Sequence, residues 1–153
     1  MSDPDDRAVA AIATHLLAQG AMVHRLSSAL TIASVVAVPL LVLLLPPARY
    51  GAPALATLAA LAGLAELWMA LRVAFDARVF ALVSRGDASD GLTLPAFDTA
   101  MSALGLMPRG KTGRPVAARL SGALRLLRWQ AALLLAQVAI LLAGAWILVA
   151  TGG

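Results

Sequence analysis

Glu66 is the only glutamate in the chain, and no other acid lies between Asp6 and Asp76. It falls inside the apolar run of residues 53–71, where an ionisable side chain is costly and marks either proton or ion handling or a polar clamp between helices. Ala59 and Gly63 precede it at helical spacing and Ala70 follows on the same face, so a second helix can approach closely there. Gln137 lies at a comparable depth in the apolar run of residues 130–150, and the spacing predicts a Glu66–Gln137 hydrogen bond across two helices. A single acid with no base beside it in the apolar runs points to packing before transport.

The other residue types that could do chemistry form no catalytic arrangement. Residues 105–112 spell GLMPRGKT, which matches the phosphate-loop pattern GxxxxGK[ST] letter for letter. That pattern works only when a strand delivers the glycines and a following helix aims its amides at phosphate. Here helical periodicity precedes it and Pro115 follows, so no nucleotide is expected to bind. His15 and His24 fall on opposite faces of one helix and cannot share a metal. Asp76, Asp87, Asp90 and Asp98 are spread along a polar stretch, as solubilising or helix-pairing charges are. With no cysteine there is no disulfide, thiol chemistry or Cys-ligated zinc. No cofactor, no metal and no enzymatic activity are expected.

The elements that carry these residues are helices in a lipid-compatible chain. Of 153 residues, 61% are hydrophobic, well above the level of soluble domains. The pattern predicts an all-α integral membrane protein with three transmembrane helices, an N-terminal amphipathic helix and a cytoplasmic helical insertion. Residues 1–25 form the amphipathic helix, with Asp3 as N-cap, Pro4 in the first turn and Val9, Ile12, Leu16, Gly20 and Val23 at helical spacing. It either lies on the membrane surface or packs on protein. Residues 26–45 form the first span, bent at Pro39 where one backbone donor is missing. Residues 46–52 form a short external loop opened by Pro46 and Pro47, and 53–71 form the second span, whose helix continues past the membrane toward Gly86. The small residues Ala54 and Ala56 resemble a signal-peptide cleavage site, but the acidic lead and the immediate second apolar run argue against cleavage.

Residues 72–129 form the basic cytoplasmic segment, including a short helix that Thr93 caps and Gly105 closes. From Pro115 a third helix begins. Arg114, Arg119, Arg125 and Arg128 stand among leucines and valine, Trp129 marks the interface, and residues 130–150 make the third span, of which 131–150 alone cover about 30 Å. Residues 151–153 are an external tail.

Charge sets the orientation. Of twelve basic residues, Arg7 and Arg25 precede the first span, nine lie from Arg72 to Arg128, and only Arg49 falls between the first two spans. The positive-inside rule then places the N-terminus inside and the C-terminus outside. The net charge of +4 sits beside apolar spans with few aromatic residues for base stacking, which points to anionic lipid headgroups rather than nucleic acid. The alanine- and arginine-rich composition suggests a bacterial inner membrane. The function expected is an accessory, scaffold or assembly subunit of a larger membrane complex, with other membrane subunits or further copies of itself as partners. The alternative is a small oligomeric transporter or channel using Glu66.

Overall fold

The computed structural model describes residues 4–85, 93–105 and 113–151, and every regular element in them is helical. Helix α1 (Pro4–Ala18) starts at the proline whose fixed φ suits a first turn. It breaks at Gln19, whose N–H bonds Leu16 O three residues back, and α2 (Gly20–Leu44) follows at once. The break therefore falls six residues before the expected boundary at residue 25. Pro39 sits inside α2 without ending it. A 3-10 turn (Pro47–Arg49) then reverses the chain into α3 (Gly51–Ser84), with Pro53 in its first turn.

Helix α4 (Leu94–Ala103) is capped by Thr93, whose hydroxyl accepts from Ala96 N, and it closes at Gly105, whose φ of +67° suits glycine alone. Helix α5 (Val116–Ala150) begins directly after Pro115. At 34 and 35 residues, α3 and α5 are each about 50 Å long, against about 30 Å of bilayer hydrocarbon. Three helical stretches are long and apolar enough to cross a membrane: residues 6–44, α3 and α5.

The chain divides into two compact units, with boundaries inside α3 and α5. One comprises Met1–Gln19 and Arg72–Leu126. In it α1 buries Ala10, Ala13 and Leu17, α3 buries Val73, Phe80 and Val83, and α5 buries Val116 and Ala123. The face α1 buries carries Leu17 beside the two alanines, whereas Ile12 and Leu16, two of the residues expected on one stripe, are exposed. Alanines let a helix sit close to its neighbours.

The second unit comprises Gly20–Leu71 and Leu127–Gly153. Its helices bury residues seven apart: Gly20, Ser27 and Ser34 on α2; Ala52, Ala59 and Glu66 on α3; Gln130, Gln137 and Gly144 on α5. A repeat of seven keeps one stripe of each helix on a common axis, as in coiled-coil packing. Contacts fix the directions. Gly20 and Ser27 meet Gln130 and Gln137 in the same order, so α2 and α5 are parallel. Gly51 lies by Ile147, Gly63 by Gln137 and Glu66 by Gln130, so α3 is antiparallel to both.

Candidate functional site

From His24 to Ser34 the stripe that α2 turns inward is polar. Gly20, His24, Ser27, Thr31 and Ser34 follow one another in alternating steps of four and three, the spacing that keeps side chains on one face. Thr31 and Ser34 each donate a hydroxyl proton to a carbonyl of their own helix, Ser27 O and Leu30 O, both at 2.7 Å. Ser27 instead reaches α5 and donates to Gln137 Oε1 at 2.9 Å. Gln137 Nε2 donates to Thr31 Oγ1 at 3.0 Å and more weakly to Ser27 O at 3.4 Å. Both ends of this amide are thus satisfied by α2.

One heptad away, Gln130 Nε2 donates to Glu66 Oε1 at 2.7 Å and to Gly20 O at 2.9 Å. The other carboxylate oxygen, Oε2, lies 3.2 Å from His24 Nδ1. Glu66 therefore joins all three helices: its own α3, α5 through Gln130 and α2 through His24. Glu66, Gln130, Gln137 and Ser27 are all fully buried. Buried polar groups are stable only when paired, and here nearly every atom is; Gln130 Oε1 is a buried atom with no partner.

The partner of Glu66 is Gln130, not the expected Gln137. The expected pairing rested on depth counted from the ends of the apolar runs, whereas α3 continues without interruption to Ser84 and its register is set by packing. Gly63 shows how close that packing is. A methyl on it would run into Thr31 Oγ1 and lie 2.8 Å from Gln137 Nε2. Ala59 and Ala70 are buried on the same face of α3, and Gly144 admits Leu55, whose Cβ lies 3.6 Å from where its own would be.

No protein-family model matches the chain, and neither curated proteins nor solved structures give a match. Its function must be read from its own residues.

A second polar cluster belongs to the other unit. Asp98, buried on α4, accepts from Arg119 Nη2 with both oxygens, at 2.7 and 2.9 Å, and from Gly113 N at 2.7 Å. The guanidinium carbon of Arg119 also lies 5.8 Å from the centre of the Phe97 ring, within cation–π range. Arg119, one of the arginines expected to meet lipid, is thereby partly buried and paired with Asp98. Arg114, Arg125, Arg128 and Trp129 are exposed. Sequence alone offered no signal for the Asp98–Arg119 pair, since the two residues lie in different helices. An open cavity of about 550 Å³ beside Asp98 is lined by Leu94, Thr99, Ser102 and Arg114 among others. Of the phosphate-loop look-alike, residues 106–112 lie outside the described residues.

Asp98→Asn should keep the shape of this cluster but remove its charge-assisted bonds, which contribute about 2 kcal/mol. The amide proton of Gly113 should then exchange faster with solvent by at least tenfold. Unchanged exchange at Gly113 would show that the aspartate does not hold the start of α5 to α4.

Asp76, beyond the end of the expected second span, is half-buried. Burial raises its carboxyl above the ordinary carboxylate range, and the positive charge of Arg72 opposes the rise.

Proposed function

We propose that this protein is a three-span membrane protein that serves as an accessory, scaffold or assembly subunit of a larger complex. One observation carries the membrane part of this reading. In the unit formed by α2, α3 and α5 the usual distribution is inverted: the fully buried side chains include Ser27, Glu66, Gln130 and Gln137, while Val35, Leu43, Leu61, Leu135, Leu142 and Trp146 face outward. Exposed apolar area of that extent is unfavourable in water and natural in hydrocarbon. Polar side chains bonded to one another between helices are a common way for spans to associate there.

The engagement of both Glu66 oxygens by neighbouring helices supports a clamp rather than a carrier, and so favours the scaffold reading over transport. Basic residues support a cytoplasmic placement of residues 72–129, with Arg114, Arg125 and Arg128 turned to anionic headgroups, each worth about 1 kcal/mol near such a surface. The composition supports a bacterial inner membrane, and no enzymatic role is proposed.

Reporter fusions test the topology. A fusion at Ser89 should report cytoplasm and one at Gly153 the opposite side; agreement between the two would rule out three spans. For the scaffold role, mild-detergent purification of the tagged full chain should recover a stoichiometric membrane partner. Recovery of the chain alone, with ion flux after reconstitution, would favour the transporter instead.

A further inference from the structure

Glu66 is sealed from solvent, but the histidine it meets is not: the side chains of His24 and Glu66 are 35% and 0% exposed. His24 Nδ1 and Glu66 Oε2 are 3.2 Å apart, and since an unprotonated ring nitrogen and a carboxylate oxygen are both acceptors, this contact needs a proton between them. Two states of the ring supply it, as does a protonated carboxyl facing a bare Nδ1, an arrangement that is likewise neutral overall. The imidazolium donates from Nδ1 and carries a second proton on Nε2, which makes the His24–Glu66 pair neutral overall. Loss of the Nε2 proton keeps the hydrogen bond through the neutral Nδ1–H tautomer, but leaves the buried carboxylate with its negative charge uncompensated.

Among the described residues, the other side chains hydrogen-bonded to the pair are neutral. From α5, Gln130 Nε2 offers Glu66 Oε1 an amide dipole at 2.7 Å. From α2, Ser28 Oγ lies 3.4 Å from His24 Nδ1 and 3.5 Å from Nε2, a neutral hydroxyl. Arg25 and Arg128, close in sequence to His24 and Gln130, have exposed side chains. A buried charge deprived of its counter-charge is strongly destabilising, so the state of the ring must bear on how well the helices hold together.

We infer that His24 and Glu66 form a single proton-binding site, loaded through the half-exposed ring, whose occupancy sets how firmly α2 is held to α3. This goes beyond the scaffold role and does not depend on which complex the protein serves. The sign follows from the charges. With the proton bound the pair is neutral and the helices are held; when the proton leaves, the seam loosens.

The experiment uses the full chain in nanodiscs at about pH 5.5 and about pH 8.5, on either side of ordinary histidine titration. Wild type should gain Tm over His24→Gln by about 3 °C more at the lower pH than at the higher. Asp76 is common to both proteins and cancels in that difference. Nitrogen-15 NMR of the imidazoles, with His15 assigned through His15→Gln, gives a second reading that needs no variant at the site. The His24 ring should lose its proton from Nε2 and keep the one on Nδ1. A Tm gap that does not vary with pH, or a neutral His24 ring still protonated on Nε2 at the higher pH, would overturn the proposal.

Discussion

Gly63→Ala should be the most damaging single-methyl change in the chain. The added carbon would overlap Thr31 Oγ1 and crowd Gln137 Nε2, both held in place by hydrogen bonds. Neither is the free end of a flexible side chain, so relief requires α3 to move away from α2 and α5. That movement also lengthens the bonds on Glu66, one turn further along α3. Overpacking of this kind costs about 3 kcal/mol, a fall in Tm of about 8 °C for a chain of this size. Gly122→Ala supplies the control, since a methyl there meets nothing within 4 Å and helix propensity should make it stabilising by about 0.7 kcal/mol. Thermal unfolding in detergent compares the two directly. Equal stability of the two variants would mean that α2, α3 and α5 do not pack as described.

Glu66→Leu comes next in size, because it strands polar atoms on two other helices at once. Gln130 Nε2 would keep only Gly20 O as an acceptor, and His24 Nδ1 would lose its carboxylate. Intramembrane hydrogen bonds are worth roughly 0.6 to 2 kcal/mol, and a loss of about 2 kcal/mol is expected for the pair. Glu66→Gln is different in kind. Its carbonyl oxygen still accepts from Gln130, its amide can donate to His24, and nearly the same volume is filled, so the fall should stay under about 1 kcal/mol. Partner recovery in mild detergent should follow stability: near wild type for glutamine, reduced for leucine. A glutamine variant that assembles normally while cells behave as if the gene were deleted would instead give the carboxylate a role in proton or ion transport and defeat the scaffold reading.

The long helices were legible because hydropathy and local breakers speak for themselves: Pro4, Thr93, Gly105 and Pro115 stand at or beside the helix ends that their backbone chemistry favours. What sequence could not supply was registration. Glu66 was marked as a packing acid by its small neighbours, but its partner depends on how α3 slides along α5, and a helix that continues to Ser84 carries no mark at residue 71 from which to count. The role of His24 left a signal that was missed. Placing the boundary at residue 25 separated it from Ser27, Thr31 and Ser34, whereas the steps from Gly20 through His24 put all five on one face. On α1, hydrophobicity pointed to Ile12 and Leu16, while the face in contact buried Ala10, Ala13 and Leu17. The Asp98–Arg119 pair lies between helices separated in sequence by residues 104–115, and no local rule reaches across that distance.

The parallel arrangement of α2 and α5, with α3 between them in sequence, also orders events during synthesis. The α2–α3 hairpin leaves the ribosome first, and His24 can meet Glu66 as soon as it does. Ser27 and Thr31 wait without their partner on α5, but a hydroxyl lacking one can turn back onto a carbonyl of its own helix. A glutamine amide has two donors and an acceptor to satisfy, more than its own helix can meet, and it is the residue least suited to waiting in lipid alone. Gln130 and Gln137 are made last, when Gly20 O, Glu66, Ser27 and Thr31 already stand ready to receive them. Nascent-chain order thus matches the order in which these side chains need company.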